Sequence, residues 1–199
     1  MKDPGRFFML RRMDMKRIAY SGIEGAFAHV VARRLFPDEL HVSFGNFAEA
    51  YDAVVSGDCD AAVLPIENSY SGEVAEVKAL LEKGELTVDR TYDLPLTQNL
   101  LGMRGSRLSD IKKVISQQKA LEQCDRFISE KGYEVIPAVN TAIAAREVAR
   151  RQDLSLAAIA SLETAAIYGL KVLEEKINEK DDNTTRFVVA QRPDSGTVQ

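Results

Sequence analysis

The stretch ELTVDRTYDLPLTQNLLGMRG, residues 85–105, is long, extended in pattern and without a helical period. Before it, from residue 17, short apolar runs alternate with helical repeats, as in RIAYSG followed by EGAFAHVVARRLF. After it the alternation resumes, as in IKKVIS followed by KALEQCDRFISEKG. Strands separated by helices of this length form right-handed βαβ units with mainly parallel sheets. The sequence therefore predicts an α/β protein of two similar lobes joined by a hinge.

The predicted lobe boundaries follow from where the two series begin and end. Lobe 1 takes residues 17–95 together with a closing strand at residues 184–191, and lobe 2 takes residues 96–183. The flanking residues 1–16 and 192–199 are expected to be a leader or linker and a polar tail. Two lobes with a hinge place a ligand cleft between them, at the carboxyl ends of the strands.

Composition and charge argue against several classes of protein. The chain is 45% hydrophobic and 28% charged, as in ordinary globular proteins, and its 26 basic residues form no stripe of the kind that binds nucleic acid. No apolar run reaches the roughly 20 residues of a membrane helix, and the N-terminal run FFML is shorter than the roughly 7–15 residues of a signal sequence. We therefore expect a cytoplasmic protein without membrane or nucleic-acid partners. Two distant cysteines and two histidines make a metal site unexpected.

Two polar motifs follow predicted strands of lobe 1. The turn Gly22–Gly25 precedes the first helix, and its glycines would let backbone N–H groups approach an anion, although tight turns also use glycine routinely. The motif PIENSYSGEV, residues 65–74, brings Asn68, Ser69 and Ser71 to the start of a predicted helix near Gly72. Such residues are good helix caps, but Glu67 beside three uncharged donors is more than a cap requires.

The third motif is EKDDNTTRFVVAQR, residues 179–192, where Thr184, Thr185 and Arg186 open the closing strand. Polar residues at a strand end need no function, since Thr is a good strand former. An arginine can, however, hold a carboxylate by two parallel hydrogen bonds. Because strand neighbours point to opposite faces, we expect a bend at residues 181–184 that lets both Thr185 and Arg186 reach the cleft.

These motifs belong to a larger resemblance. GIEGAFAHVVARRLF, AVLPIENSYSGEV, ISQQKALEQC, NTAIAAREVA and DNTTRFVV, in this order and spacing, resemble the catalytic domain of prephenate dehydratase, over about residues 17–191. The resemblance implies a fold like that of type 2 periplasmic binding proteins and a homodimer. It also implies conversion of prephenate, a dicarboxylate, to phenylpyruvate with loss of carbon dioxide and water. This reaction lies on the way to phenylalanine and would require no cofactor or metal.

The resemblance also implies roles for single residues. Thr185 would assist loss of the ring hydroxyl, as a hydrogen-bond donor or relay rather than as a free acid. Arg186 and Glu67 complete the predicted catalytic set, although Glu67 could equally bind a backbone amide. The predicted substrate-binding residues all lie in the quoted motifs: Gly22, Gly25, Ala26, Asn68, Ser69, Ser71, Gly72, Ser116, Gln117, Lys119, Asn183 and Phe187.

Three departures from the family pattern stand out. The usual Ser-His-Pro-Gln is Ser116–Lys119, the usual Thr-Phe-Ser after the glycine turn is Ala26–Ala28, and Gln98 replaces a frequent basic or imidazole residue. Lys119 begins a predicted helix, where a cation is unfavourable unless an anion is near. We therefore expect Lys119 to bind a substrate carboxylate, with a solvated lysine as the alternative.

Two other functions stay open. One is a two-lobed binding or sensory module without catalysis, and the other is an arogenate dehydratase, whose substrate carries an amino group where prephenate carries a keto group. The family usually continues into a phenylalanine-binding domain of the ACT type, whereas this sequence stops at Gln199. Allosteric inhibition by phenylalanine is therefore not expected.

Overall fold

The computed structural model describes residues 15–180 and 182–193, so most of the predicted leader and tail lies outside the described residues. It confirms an α/β fold with two lobes, each built on one sheet. The elements of the first lobe are β1 (Arg17–Ser21), α1 (Phe27–Leu35), β2 (Leu40–Phe44), α2 (Phe47–Val55), β3 (Ala61–Asn68), β4 (Gly72–Glu73), α3 (Ala75–Glu82), β5 (Thr87–Pro95) and, from the end of the chain, β11 (Thr184–Gln191).

The second lobe continues the same alternation. Its elements are β6 (Asn99–Gly102), a 3₁₀ turn (Leu108–Asp110), β7 (Lys113–Gln117), α4 (Gln118–Glu122), α5 (Asp125–Lys131), β8 (Glu134–Ala138), α6 (Thr141–Arg151), β9 (Leu156–Ala160), α7 (Leu162–Tyr168) and β10 (Lys171–Glu174). The single helix predicted after β7 is in fact two, interrupted at Cys124. None of the helices in the described ranges is long and apolar enough to cross a membrane.

Both sheets are mixed. The strand order is β2-β1-β3-β11-β5 in the first lobe, with β4 on the free end of β3, and β10-β6-β9-β7-β8 in the second. Strands joined through helices pair in parallel, as β1 does with β2 and β3, and β7 with β8 and β9. Strands that arrive by other connections, β11 and β6, pair antiparallel with their neighbours.

Helices cover both faces of each sheet. In the first lobe α2 and α3 pack on one face, around Tyr51 and Leu64, and α1 packs on the other, around Val31 and Val63. In the second lobe α4 and α5 cover one face, and α6 and α7 the other. The central strands are buried on both faces because they consist of apolar runs. Polar residues lie at the ends of these strands.

The chain crosses between the lobes twice, and the two crossings run side by side. One connects β5 to β6, and the other connects β10 to β11. The Leu96 amide donates to the Asn183 carbonyl over 2.7 Å, and the Ile177 amide donates to the Gln98 carbonyl over 2.9 Å. These bonds join the two crossings into one hinge, which brings Asn183 close to both lobes.

The motif PIENSYSGEV folds differently from its prediction. It forms the end of β3, a tight turn and β4, rather than a turn into a helix. Helix α3 begins only at Ala75, and its N-cap residue Val74 makes no side-chain capping bond. Asn68, Ser69 and Ser71 are therefore not helix caps.

Candidate functional site

A cavity of about 260 Å³ opens between the lobes beside the hinge. It is lined by one residue of the β3–β4 turn, three from α4 and its C-terminal end, and three from the second crossing: Tyr70, Lys119, Glu122, Gln123, Glu179, Lys180 and Asn183. This is the position that the two-lobe fold predicts for a ligand cleft.

Thr185 is bound to Asn68 behind the cavity wall. The Asn68 side-chain amide donates to Thr185 Oγ1 over 2.9 Å and to Asn183 Oδ1 over 2.8 Å. Thr185 is only 8% exposed, and Asn183 is 4% exposed. Asn183 lines the cavity and also donates to Gln123 Oε1 over 3.2 Å. A chain of side-chain hydrogen bonds therefore links Thr185 in the first lobe with α4 in the second.

The other side of the Asn68 side chain holds the β3–β4 turn. Its Oδ1 accepts hydrogen bonds from the amides of Tyr70 and Ser71 and from the Ser71 hydroxyl, at 3.1–3.2 Å. Ser69 ties the same turn to the chain before β11, because its hydroxyl accepts from the Thr184 amide and lies 3.0 Å from the Asp182 carbonyl. The hydroxyls of Ser69 and Ser71 thus shape the turn, while Gly72 lies in β4 opposite Asn68.

Arg186 and Glu67 lie on the face of the sheet opposite Thr185. Arg186 Nε and Nη2 donate to the two carboxylate oxygens of Asp93 over 2.8 and 3.2 Å, and Nη1 donates to Glu67 Oε2 over 3.3 Å. The expected bend is absent from the described residues, because β11 begins at Thr184 and runs as a strand through both residues. Strand alternation therefore holds, and Arg186 binds protein carboxylates instead of reaching into the cleft with Thr185. Its guanidinium lowers the pKa of Asp93 below the ordinary value.

A β-bulge places Asn68 beside Thr185. Phe187 pairs with Pro65, but Arg186 pairs with Glu67, so Ile66 of β3 has no residue opposite it on β11. The extra residue exchanges the faces of the positions that follow it. As a result Asn68 lies on the Thr185 side of the sheet and Glu67 lies on the Arg186 side.

The glycine turn is engaged within the protein. The Gly22 amide donates to the Phe44 carbonyl over 2.9 Å, and the Ala26 amide to the Ile23 carbonyl over 3.0 Å. The Gly25 amide donates to His29 Nδ1 over 3.0 Å. The predicted anion contacts of Gly22, Gly25 and Ala26 are therefore not available in this conformation, because each N–H already has an acceptor.

Contacts with the second lobe fix the same turn. The Thr164 hydroxyl donates to the Gly25 carbonyl over 3.0 Å, and the Tyr168 hydroxyl donates to the Glu24 carbonyl over 2.6 Å. Arg34 of α1 forms an ion pair with Glu163 of α7. These contacts make the turn part of the interface between the lobes.

The remaining predicted residues divide between core and cavity. Ser116 is fully buried and donates to the Ile159 carbonyl over 2.6 Å, and Phe187 is 2% exposed in the core of the first lobe, so neither faces the cavity. Gln117 is exposed at the end of β7 but does not line the cavity. Lys119 does line it.

Sequence reasoning missed several cavity residues. Gln123 follows Lys119 by one helical turn in the same motif, so helical spacing could have found it. Tyr70, Glu179 and Lys180 all lie inside motifs already singled out, but Glu179 and Lys180 precede the closing strand in a polar segment without a periodic pattern. Their position depends on the second crossing, which local sequence does not specify.

The described ranges contain no cluster of three or more His, Cys, Asp and Glu side chains that could hold a metal ion. Cys59 and Cys124 are both buried free thiols. Burial raises the pKa of Cys124 to about 12, so this thiol stays protonated at neutral pH. The polar chemistry of the cavity therefore comes from amides, hydroxyls, carboxylates and ammonium groups.

Comparison with known proteins gives consistent matches over nearly the whole chain. The family profile described as prephenate dehydratase matches residues 18–195. The chain is 38% identical over 176 residues to the protein named arogenate dehydratase/prephenate dehydratase 1, chloroplastic, of Arabidopsis thaliana. The aligned region covers 88% of this chain and 45% of that protein.

Two solved structures match at 30% identity and 89% coverage of this chain. One is described as the prephenate dehydratase of Arthrobacter aurescens in complex with L-Phe, with a TM-score of 0.80 and 60% of that chain covered. The other is described as GqqA, a novel type of quorum quenching acylase, with a TM-score of 0.82 and 64% of that chain covered. The present chain thus spans less than two thirds of each of these relatives.

Proposed function

We propose that this chain, which belongs to the prephenate dehydratase family, catalyses the decarboxylating dehydration of a cyclohexadienol dicarboxylate, with prephenate as the substrate and phenylpyruvate as the product. The observation that carries the proposal is the hydrogen-bond chain Thr185–Asn68–Asn183, which reaches the wall of a cavity between the lobes. A hydroxyl and two amides beside a cavity lined by polar and charged side chains suit a reaction in which an oxygen leaves with a proton.

The chemistry needs little from the protein besides position and one proton. The ring carboxylate leaves as carbon dioxide, and its bonding electrons enter the ring as the carbon–oxygen bond on the opposite side breaks. The departing hydroxide takes up a proton and leaves as water, and the ring becomes aromatic. The Asn68 amide occupies the acceptor side of Thr185 and leaves the hydroxyl proton free to donate a hydrogen bond to that oxygen. Thr185 does not itself line the cavity, so the proposed contact requires that the bound substrate reach past the cavity wall to this hydroxyl.

Two ammonium groups would hold the anionic substrate. Lys119 and Lys180 line the cavity, and in the described part of the chain neither forms an ion pair with a carboxylate. The cavity carboxylates already accept hydrogen bonds, Glu122 from Gln118 over 2.9 Å and Glu179 from the Arg126 amide over 3.0 Å. The two lysines are therefore the groups best placed to pair with substrate carboxylates.

The charges of the cavity do not by themselves separate prephenate from arogenate. Both substrates carry two carboxylates, but the side chain of arogenate also carries an ammonium group. Lys119 and Lys180 repel that ammonium group, whereas Glu122 and Glu179 attract it. The two substrates are therefore distinguished by the measured ratio of their kcat/KM values.

One assay tests the function and separates it from the main alternative. Purified protein is incubated with prephenate and, separately, with arogenate, and phenylpyruvate is followed by its absorbance in alkali while phenylalanine is followed by chromatography. We expect turnover of prephenate that is strongly reduced in the Thr185→Val variant. A folded wild-type protein that binds prephenate in calorimetry but forms no product would instead favour a binding module.

A further inference from the structure

Few residue pairs fix the register of the strands at Thr185. In the described structure only two pairs, Thr185–Asn68 and Arg186–Glu67, continue the contact of β11 with β3 beyond the bulge at Ile66. Because side chains alternate along a strand, a slip of one residue would move Asn68 to the other face, away from Thr185. The bonds of Ser69 with Thr184 and Asp182 hold the far end of this segment. A further contact between the strands, next to the bulge, would fix the register of Asn68 against Thr185.

Arg186 lies where it can do this. It is directly opposite Glu67 of β3 on one side and Asp93 of β5 on the other, and it bonds to both carboxylates. We propose that Arg186 is a positioning residue, which bridges Asp93 and Glu67 across three strands and thereby holds the Thr185 hydroxyl against the Asn68 amide. In this role Arg186 acts through Thr185 and does not touch the substrate.

The bridge differs from an ordinary stabilising contact. The side chains of Arg186, Asp93 and Glu67 are about half exposed, at 47%, 52% and 50%. Exposed ion pairs contribute little to the stability of the whole fold. A small displacement of a reacting group can, however, reduce a rate by about 10²-fold. Loss of the bridge should therefore change the site much more than it changes the melting temperature.

The chain offers a matched control. Lys113 and Glu134 lie directly opposite each other on β7 and β8 and form an exposed ion pair of 3.0 Å in the other lobe. The variants Asp93→Asn and Lys113→Gln thus each break one exposed cross-strand ion pair, whereas Arg186→Gln breaks two. Asp93→Asn leaves Arg186 in place, and it keeps the test informative if Arg186→Gln does not fold.

The first measurement requires no substrate. The side-chain amide protons of Asn68 are assigned by NMR, and their chemical shifts and exchange rates report the bond to Thr185. We expect altered shifts and faster exchange in Arg186→Gln and Asp93→Asn, and unchanged values in Lys113→Gln. An Asn68 amide that is unchanged in both bridge variants would overturn the proposal.

The second measurement is kinetic and rests on the proposed function. In Arg186→Gln and Asp93→Asn we expect kcat to fall by about 10²-fold with KM nearly unchanged. The double variant should be no worse than either single variant, because the two residues form one bridge. Arg186→Lys keeps the charge without the two-bond contact and should recover part of kcat. A raised KM with unchanged kcat would mean that Arg186 binds substrate and would overturn the positioning role. Wild-type protein that is inactive on both substrates would refute the proposed function. In that case the NMR measurement would still decide whether Arg186 positions Thr185.

Discussion

The Asn68 side-chain amide lies 2.9 Å from the Thr185 hydroxyl oxygen and donates a hydrogen bond to it. The same nitrogen also has the Asn183 side-chain oxygen and the Thr184 carbonyl as acceptors, at 2.8 and 3.2 Å. The hydroxyl proton of Thr185 is therefore left for another acceptor, and the substrate oxygen is the one that the proposed reaction supplies.

Thr185→Val should lower kcat by about 10²-fold or more, the lower end of what positioned proton transfer contributes. The fold should lose only about 1 kcal/mol, because the Asn68 amide keeps its two other acceptors. Steady-state kinetics and urea unfolding check the two expectations together.

Thr184→Val is the control for this substitution. Thr184 makes its bonds to Ser69 and Asn68 through backbone atoms, so the variant should keep them and remain active. Near-normal turnover in folded Thr185→Val would remove Thr185 from the chemistry.

Asn68→Asp tests the donor side of the same bond. A carboxylate can still accept from Tyr70 and Ser71 in the turn, but it cannot donate to Thr185, Asn183 or the Thr184 carbonyl. We expect kcat to fall by at least the factor found for Thr185→Val, and stability to fall by about 1–3 kcal/mol because buried acceptors lose their donor. Ser71→Ala, which removes only one bond to the Asn68 oxygen, should have a much smaller effect on kcat.

Local patterns in the sequence predicted much of the fold. Asn46, Asn140 and Ser161 are preferred cap residues that directly precede helical repeats in the sequence. In the structure each side chain accepts a backbone N–H bond from the helix that follows it. These features could be predicted because cap and helix lie within a few residues of each other. The alternation of strand and helix predicted the parallel pairs of both sheets for the same reason.

The errors lie where a residue's environment depends on distant strands. The bulge at Ile66 exists only against β11, more than a hundred residues later, and Pro65 was its one local sign. Because the bulge could not be predicted from the sequence, the faces of the sheet on which Glu67 and Asn68 lie could not be predicted either. The partners of Arg186 likewise come from two other strands, so the sequence alone does not indicate protein carboxylates as its partners.

Lys119→Gln and Lys180→Gln should each raise KM for prephenate by about two- to fivefold, since an exposed ion pair contributes up to about 1 kcal/mol. The effect should shrink at high ionic strength, because salt screens exposed charges. Values of kcat should change little, as the lysines hold the substrate rather than the departing oxygen.

Lys112→Gln is the control for the lysine variants. Lys112 is an exposed lysine of the same lobe that does not line the cavity. Should both cavity variants match this control in KM at low and high salt, the lysines would not be substrate ligands.

The last prediction concerns pH and the glycine turn. His29 is 4% exposed and accepts the Gly25 N–H at Nδ1, so this nitrogen must be unprotonated. Burial, with a smaller contribution from the nearby charge of His41, lowers the pKa of His29 from 6.5 to about 4. Between these two values the unfolded chain binds a proton that the folded chain does not. The contribution of His29 to stability is therefore complete above pH 6.5 and is lost as the pH falls towards 4, with a slope of up to about 1.4 kcal/mol per pH unit. His29→Asn keeps an acceptor for the Gly25 amide but does not titrate. Urea unfolding of both proteins between pH 7.5 and 4.5 should give a flatter curve for the variant, whereas parallel curves would show that His29 titrates normally in the folded protein.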